Sequence, residues 1–80
     1  MTVFHCKNGS TLDWVKYDPM AEEMEVRAKN KLEYHFRDVP QDVYEGFKMT
    51  EGDDAYFYTH IRFKYPFNWQ GPKNLEPAHG

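Results

Sequence analysis

Apolar and charged residues alternate strictly over residues 24–29, MEVRAK, and the alternation resumes over residues 32–37, LEYHFR. A period of two residues is that of a half-buried β-strand. Asn30 lies between the two segments, where a tight turn would join them. Together with the segment rich in strand-forming residues at 10–19, the pattern predicts two or three antiparallel strands in a meander.

The period changes in the next segment, residues 38–48, which predicts a short helix. Its apolar residues recur at helical spacing, at Val43, Tyr44 and Phe47. Asp38 and Gln41 have the spacing of a capping box, and Pro40 would occupy the first turn, where its missing N–H costs little. Gly46 weakens a helix by roughly 1 kcal/mol relative to Ala, so it indicates either close packing or an early helix end.

The segment YTHIRFKYPFNW at residues 58–69 has an ambiguous period. As a strand, it would place the odd-numbered residues from 59 to 69 on one face. As a helix, it would align Phe57, Ile61 and Tyr65, with two acidic residues favourably placed near the positive N-terminal end. The pattern by itself leaves both structures open.

Charge is distributed unevenly along the chain. Residues 1–54 carry seven Lys or Arg against twelve Asp or Glu, a net charge of −5, and residues 55–80 carry three against one, a net charge of +2. A protein that tracks a long nucleic acid presents a broad basic surface, and the overall composition does not indicate one. Any basic binding surface must therefore be local and lie towards the C-terminus.

The sequence contains no strong catalytic or metal-binding motif. Zinc sites take four ligands, usually in short paired spacings, whereas the histidines are scattered and the adjacent His5 and Cys6 form no such pair. Neighbouring residues of a strand point in opposite directions, so His5 would not activate the Cys6 thiol. The acidic pairs at 22–23 and 53–54 fall at a turn and a helix start, where solvation or capping explains them. We therefore expect no enzyme activity, no metal and no cofactor.

Short motifs follow one another along the chain: Ser10-Thr11-Leu12, Tyr17-Asp18, Met24-Glu25-Val26, Tyr34-x-Phe36, Val39-Pro40, Val43-Tyr44, Tyr56-Phe57, Ile61-Arg62 and Tyr65-Pro66. In this order they resemble the KTSC domain family, named for its occurrence at the C-terminus of some lysyl-tRNA synthetases and also found as small stand-alone bacterial and phage proteins. The resemblance implies an α+β fold, a small antiparallel three-stranded β-meander followed by two short helices. It favours a helix over residues 53–64.

The chain departs from the family pattern at three places. The usual Tyr-x-Tyr becomes Tyr34-His35-Phe36, the usual Ser-x-Gly becomes Gly52-Asp53-Asp54, and Tyr58 stands where Asn is common. A polar site shared by the family at these positions would be altered here, whereas Arg62 is retained. The resemblance suggests RNA binding through the synthetase context and implies no catalytic role.

Length and cysteine content indicate one small domain in a reducing compartment. Eighty residues allow a single domain, which we divide into an N-terminal arm or extra strand at 1–9, a KTSC-like domain at 10–67 and an irregular tail at 68–80. Cys6 is the only cysteine, so no intrachain disulfide can form, and we expect a cytoplasmic protein. No apolar run reaches the ~20 residues of a membrane helix, so we expect no membrane contact.

Aromatic residues interleaved with cations are the remaining functional signal. Proteins that bind single-stranded nucleic acid stack bases on aromatic side chains in a basic groove, at ~1–3 kcal/mol per base. The candidate binding residues are Tyr17, Tyr34, His35, Tyr58, His60, Arg62, Lys64 and Tyr65. Tyr34 and Tyr65 could equally belong to the core. Arg62 could stack on a ring or pair with Asp38 or Asp42.

Two functional hypotheses follow. The first is a small non-enzymatic module that binds RNA or a small nucleotide, with sequestration of a nucleotide by a phage protein as one form that the family's occurrence implies. The second is a protein-interaction module, either a homo-oligomer or an adaptor or inhibitor of a host protein. Its interface would use Phe63, Phe67 and Trp69, whose apolar area exceeds what one helix face can bury.

Overall fold

Five β-strands form one antiparallel sheet whose order follows the chain. The computed structural model describes residues 2–7 and 9–71. The strands are β1 (Thr2–His5), β2 (Leu12–Asp18), β3 (Glu23–Ala28), β4 (Glu33–Phe36) and β5 (Phe67–Gln70). The predicted class, α+β with an antiparallel meander, is confirmed, but the predicted number of three strands is too small.

The two additional strands are β1 and β5, at the edges of the sheet. β1 falls within residues 1–9, where an arm or an extra strand was expected, and it pairs with β2. β5 pairs with β4, which sets Phe67 beside Phe36 and Trp69 beside Tyr34. Most of β5 falls within the predicted irregular tail, because its three residues after Phe67 are all exposed and show no alternation of buried and exposed positions. The rest of that tail, residues 72–80, lies outside the described residues.

Two helices connect β4 to β5, as predicted. The first, α1, spans Gln41–Met49. The second, α2, spans Asp53–Tyr56 and continues directly into one π-helical turn over Phe57–Ile61. The helical alternative for the ambiguous segment is therefore correct through residue 61. None of the helices in the described ranges is long and apolar enough to cross a membrane.

The predicted capping box at the start of α1 is wrong. Asp38 has a φ of 61°, in the left-handed region, and its side chain makes no cap. Pro40 is the N-cap residue, and its carbonyl oxygen accepts hydrogen bonds from the N–H groups of Val43 and Tyr44. The sequence spacing fitted a capping box, but the helix begins at Gln41 with Pro40 as its N-cap, so Asp38 lies two residues before the capping position.

The helices cover one face of the sheet and form the core with it. The buried apolar residues are Leu12, Val15, Tyr17, Met24, Val26, Tyr34, Phe36, Val39, Tyr44, Phe47, Phe57 and Ile61. The predicted inward positions of β3 and β4 are thus confirmed. The opposite face carries partly exposed residues such as Trp14, Lys16, Glu25 and His35, the alternation expected when one side of an antiparallel sheet faces water.

Candidate functional site

Arg62 follows the π-helical turn and lies among three aromatic rings. Its guanidinium carbon is 4.9 Å from the ring centroid of Tyr34, 4.7 Å from that of Phe63 and 4.4 Å from that of Phe67. All three distances are within the range of a cation–π interaction. Of the two roles that the sequence left open for Arg62, the structure therefore shows stacking.

Arg62 has no carboxylate partner in the part of the chain that the structure describes. Within residues 2–7 and 9–71, no salt bridge involves it, and none of the side-chain hydrogen bonds there uses its guanidinium. The alternative role that the sequence left open, a salt bridge with Asp38 or Asp42, is therefore not found among the described residues. A guanidinium stacked through its faces keeps its N–H edge available, and that planar edge matches the oxygens of phosphate or carboxylate.

The π-helical turn determines where Arg62 lies. Its backbone N–H donates to the Phe57 carbonyl oxygen, five residues earlier, over 2.8 Å. Single π-helical turns are rare and occur frequently at functional sites. Phe57 is fully buried and contacts both Tyr34 and Phe36, so it fixes the turn against the sheet. This turn is one residue wider than an α-helical turn, and it places the Arg62 guanidinium against the ring of Tyr34.

A cavity of about 490 Å³ lies beside this stacked arginine. Its lining residues are Ser10, Thr11, Leu12, Ala28, Lys29, Asn30, Leu32, Tyr34 and Tyr58. Tyr34 joins the two features, because one ring both lines the cavity and contacts Arg62. The volume falls within the ~300–1,000 Å³ range of small-molecule sites, and the mixed aromatic and polar lining is typical of them. We name the cavity together with Arg62 the Tyr34–Arg62 site.

Asp54 holds the wall of this site in place. The Ser10 hydroxyl donates to Asp54 Oδ1 over 2.6 Å, and the Thr11 N–H donates to both carboxylate oxygens at 3.1 Å. Burial by itself would raise the pKa of Asp54, but the hydrogen bonds from Ser10 and Thr11 and the charge of Lys29 outweigh it and lower the pKa below its ordinary value. Asp54 is therefore ionised at neutral pH and anchors the loop.

Asp53 anchors the preceding residues of the same loop. Its buried carboxylate accepts a hydrogen bond from the Lys7 N–H over 2.9 Å, and the Lys7 ammonium lies 3.8 Å away. The family departure at Gly52-Asp53-Asp54 thus has a structural role in this chain. The two acids fasten the loop between β1 and β2, which supplies Ser10 and Thr11 to the site.

The Tyr34–Arg62 site differs in charge from two other concavities on the surface of the described residues. None of the cavity's lining residues is acidic. A concavity on the uncovered sheet face is lined by Asp18, Glu23 and Glu25 among others, and one at the start of α2 is lined by Glu51 and the anchoring acids. In a chain with a net charge of −3, the acid-free cavity beside Arg62 is better suited to an anion than either of these two concavities.

The structure brings three of the predicted binding residues together and separates others. Tyr34, Tyr58 and Arg62 form the site; Tyr34 is 8% exposed and Tyr58 50%. Tyr17 is 1% exposed, so its ring cannot stack on an external base and its predicted binding role is wrong. His35 lies on the uncovered sheet face, opposite to Tyr34, where it contacts two glutamates.

The remaining predicted residues lie beside the site or away from it. His60 is exposed and packs over the ring of Tyr56, with centroids 4.5 Å apart. Lys64 is exposed, and Tyr65 is half-buried against the core. Of the predicted interface residues, Phe63 is 76% and Trp69 62% exposed, whereas Phe67 is partly buried.

Sequence reasoning missed the polar residues of the cavity. Lys29 and Asn30 belong to the turn between β3 and β4, and Thr11 belongs to the loop before β2. The turn itself was predicted from Asn30, but nothing in the local pattern shows that this turn and Tyr58 line the same cavity. Whether they do depends on where the packing of the helices against the sheet places Tyr58.

Neither an activated thiol nor a cluster of metal-ligating side chains is found among the described residues. Burial, followed by the nearby charges of Asp53 and Asp54, raises the pKa of Cys6 to about 12, so the thiol is protonated at neutral pH and is a poor nucleophile. Within residues 2–7 and 9–71, no cluster of three or more His, Cys, Asp or Glu side chains could hold a metal ion.

The architecture defines a small α+β domain: an antiparallel sheet covered on one face by two short helices, with a stacked arginine after the second. The sequence model of the KTSC domain matches residues 8–65, so the chain belongs to the KTSC domain family. The resemblance found from the motifs is confirmed, and the matched range includes every residue of the Tyr34–Arg62 site.

A solved structure supports the fold. The crystal structure of a KTSC domain protein from Yersinia pestis superposes with a TM-score of 0.75 at 18% sequence identity, covering 88% of this chain and 100% of that chain. A comparison with curated protein sequences gives no match. At this identity the structural likeness shows a shared fold, and the function must be argued from the site.

Proposed function

We propose that this protein is a non-enzymatic module that binds a small nucleotide or one nucleotide of single-stranded RNA in the Tyr34–Arg62 site. The observation that carries the proposal is Arg62, a partly buried cation stacked on three rings with no carboxylate partner among the described residues. An arginine that has no acidic partner among the described residues, in a protein of net negative charge, is suited to bind an anionic ligand. The cavity beside it fits an aromatic base.

The cavity supplies the surfaces that a base requires. Tyr58 presents a half-exposed ring at its rim, and stacking on such a ring contributes ~1–3 kcal/mol per base. Leu12, Ala28 and Leu32 add apolar contact. Arg62 would then hold the phosphate at the Tyr34 end, so a nucleotide would match the site in both charge and shape.

The acidic remainder of the chain limits the ligand's size. Twelve acidic residues precede residue 55, and the described concavities outside the site contain several of them. A long nucleic acid would bring further phosphates against these carboxylates. The proposal is therefore a compact ligand, and the family's occurrence beside a tRNA synthetase and in phages is consistent with either RNA or a free nucleotide.

The first test is native mass spectrometry of gently purified protein, followed by calorimetric titration with nucleoside monophosphates and a short single-stranded RNA. We expect Arg62→Ala and Tyr58→Ala each to weaken binding by about tenfold or more, since each removes one major contact. His60→Ala is the matched control. His60 is an exposed ring two residues from Tyr58, but it packs on Tyr56 and does not line the cavity.

Two results would contradict the proposal. One is that Arg62→Ala and Tyr58→Ala both keep the wild-type affinity for the nucleotide, and the other is that the His60→Ala control loses as much affinity as they do. Arg62→Lys gives a second check on Arg62, because it keeps the charge but loses the planar edge and the ring stacking. Binding should also weaken as salt rises, since phosphate contacts release counterions.

A second candidate function is protein interaction through the same end of the molecule. Phe63 and Trp69 are large apolar side chains that are mostly exposed, and β5 forms one edge of the sheet. Exposed aromatic patches and open sheet edges are common recognition surfaces. A second copy of the chain or a host protein could occupy them.

Sedimentation analysis of the wild type and of a Phe63→Ser, Trp69→Ser variant tests this second function. We expect a self-associating chain to become monomeric in the variant. A wild type that stays monomeric at high concentration and captures no partner would exclude it. Because the interface is apolar, high salt should not weaken it, which distinguishes it from nucleotide binding.

A further inference from the structure

Two exposed aromatic rings adjoin Tyr34 in the Tyr34–Arg62 site. Tyr58 is half-exposed and lines the cavity together with Tyr34. Trp69, on β5, is the register partner of Tyr34, and the Cβ atoms of such partners are roughly 4.5–5.5 Å apart. Trp69 lies on the same face of the sheet as Phe67, because residues two apart on a strand point the same way, yet it is mostly exposed. Tyr34 thus adjoins one exposed ring through the cavity and another through the strand pairing.

Arg62 lies outside the cavity, on the side of β5. It is not among the lining residues, and its guanidinium contacts the ring of Phe67 as well as that of Tyr34. Phe67 precedes Trp69 by two residues on β5. Residues 55–71 contain two basic residues and no Asp or Glu. A group attached to a phosphate at Arg62 therefore reaches β5 without meeting a carboxylate from this segment.

The ring of Trp69 has no stacking partner among the described residues. No aromatic ring there packs on it, and no cation lies over it. Trp14, by contrast, has the Lys16 ammonium 4.8 Å from its ring centroid. Trp69 also lies outside residues 8–65, the range that the family model matches. An exposed ring of this kind can stack on any base, because every base has a π-face.

We infer that the site binds two nucleosides joined by a phosphodiester, with one base in the cavity against Tyr58, the phosphate at Arg62 and the second base on Trp69. This inference rests on the proposed function and names its ligand class. A phosphodiester carries a nucleoside on each side. When Arg62 holds it and one base enters the cavity, the other nucleoside is left beside β5. A mononucleotide uses the first half of this surface and leaves the Trp69 ring in water.

The test compares the dinucleotide adenylyl-(3′→5′)-adenosine with the 3′- and 5′-monophosphates of adenosine by calorimetric titration. We expect the dinucleotide to bind at least about tenfold more tightly than either monophosphate, because a second stacked base adds to the same phosphate contact. Charge by itself predicts the opposite order, since a phosphomonoester carries about −1.5 to −2 at pH 7 and a phosphodiester carries a single negative charge. Equal affinities, or tighter binding of a monophosphate, would overturn the inference and leave the proposed function standing.

Trp69→Ala removes the second ring. We expect it to lower the affinity for the dinucleotide by about tenfold and to leave the affinity for both monophosphates unchanged. Trp69→Phe keeps a ring and should retain most of the dinucleotide affinity. Trp14→Ala is the matched control, since it makes the same change on the uncovered face of the sheet. A Trp69→Ala variant that loses monophosphate and dinucleotide affinity equally would overturn the inference.

A second measurement keeps a ring at residue 69. Trp14→Phe leaves Trp69 as the only tryptophan of the chain, so the intrinsic fluorescence then reports on that ring. We expect the dinucleotide to quench the fluorescence, because a stacked adenine covers the indole, and the monophosphates to leave it largely unchanged. Unchanged fluorescence with the dinucleotide bound would overturn the inference.

A free dinucleotide and two adjacent nucleotides of single-stranded RNA share this chemistry, and a six-residue oligoadenylate distinguishes them. Tighter binding of the oligoadenylate than of the dinucleotide identifies RNA as the source, and weaker binding identifies the free dinucleotide; both results keep the two-base site. A dimer that buries Trp69 and persists with the dinucleotide present would assign the ring to the second candidate function and overturn the inference. Failure of the dinucleotide and both monophosphates to bind would overturn the proposed function and this inference together.

Discussion

Tyr17 illustrates how the core can use the polar end of an aromatic side chain. Its ring stacks on that of Tyr44, with centroids 4.6 Å apart and planes at 11°. Its hydroxyl donates to the Val39 carbonyl oxygen over 2.6 Å. Burial raises the pKa of Tyr17 above its ordinary value, so the hydroxyl stays protonated and remains a donor at neutral pH. The hydrogen bond ties β2 to the segment before α1.

Tyr17→Phe removes this hydrogen bond and leaves the ring in place. The Val39 carbonyl then loses its buried donor, so we expect the free energy of unfolding to fall by about 1–2 kcal/mol. Urea denaturation checks the value, with an unchanged dependence on denaturant showing that the native state stays compact. An unaltered unfolding midpoint would show that water replaces the hydroxyl.

Tyr58 is the surface counterpart of Tyr17. Both residues were candidates for base stacking, yet one is fully buried and the other half-exposed. The difference does not depend on the residues themselves. Tyr17 is covered because α1 places Tyr44 over it, whereas Tyr58 lies on the outer side of the π-helical turn. Residue type identified the candidates, and packing decided between them.

At the scale of elements, Gly46 allows α1 and α2 to approach closely. A Cβ atom at this position would overlap the Tyr56 hydroxyl oxygen, which donates to the Val43 carbonyl over 3.0 Å. Of the two explanations that the sequence left open for this glycine, the structure shows close packing, since the helix continues to Met49. Phe47, in the same turn of α1, stacks on the Tyr56 ring with centroids 5.5 Å apart.

Gly46→Ala should therefore destabilise the protein even though alanine favours a helix. Alanine gains up to ~1 kcal/mol in helix propensity, but displacing the Tyr56 ring costs more, and we expect a net loss of about 1–2 kcal/mol. In a Tyr56→Phe background the hydroxyl is absent, so the same substitution should cost less. Urea unfolding of the four proteins gives the coupling energy; an equal cost in both backgrounds would contradict the contact.

Asp54 links α2 to the loop before β2, and the linkage depends on pH. Asp54→Asn removes the charge and one acceptor, so we expect a loss of about 1 kcal/mol at pH 7. The folded protein lowers the pKa of Asp54 below its ordinary value of 3.8. The stabilisation is thus complete above that value and disappears as the pH falls through the folded-state pKa.

Thermal unfolding of the wild type and the Asn variant at pH 7 and at a pH well below 3.8 checks this prediction. The difference in melting temperature should be present at pH 7 and should shrink in acid. Glu51→Gln, which changes a neighbouring exposed acid, controls for general charge effects. A difference that persists unchanged in acid would show that the carboxylate is not responsible.

At the scale of the whole molecule, β5 completes both the sheet and the site. Phe67 contacts the core residue Phe36 and also the Arg62 guanidinium. Trp69 is the register partner of Tyr34. The strand follows the π-helical turn and pairs with β4, so the Phe67 ring lies against the Arg62 guanidinium.

Ending the chain after residue 66 removes β5 and should destabilise the fold by about 2 kcal/mol, because the partly buried Phe67 and the pairing with β4 are both lost. A chain ending at Gly71 retains the strand and is the control. Unfolding experiments on both chains give the difference. Equal stability would show that β5 contributes nothing to the core, and nucleotide affinity measured in parallel would report its share in holding Arg62.

Most of the fold could be predicted from local pattern. The alternation over residues 24–29 and 32–37 identified β3, β4 and their inward faces, and the spacing of Val43, Tyr44 and Phe47 identified α1. These predictions succeeded because burial of one face imposes a period on the sequence. β5 could not be found this way, since its three residues after Phe67 are all exposed and burial therefore imposes no period on them.

The sequence by itself determined the family, the class of fold, the core faces and the presence of Arg62 among aromatic residues. Only the tertiary structure decided that Tyr34, Tyr58 and Arg62 belong to one site. It also decided that Tyr17 and His35 lie elsewhere, and that the polar turn between β3 and β4 lines the same cavity. The physical reason is that periodicity records whether a side chain points inward or outward. It does not record which distant segment lies opposite, and the site is built from segments that only packing brings together.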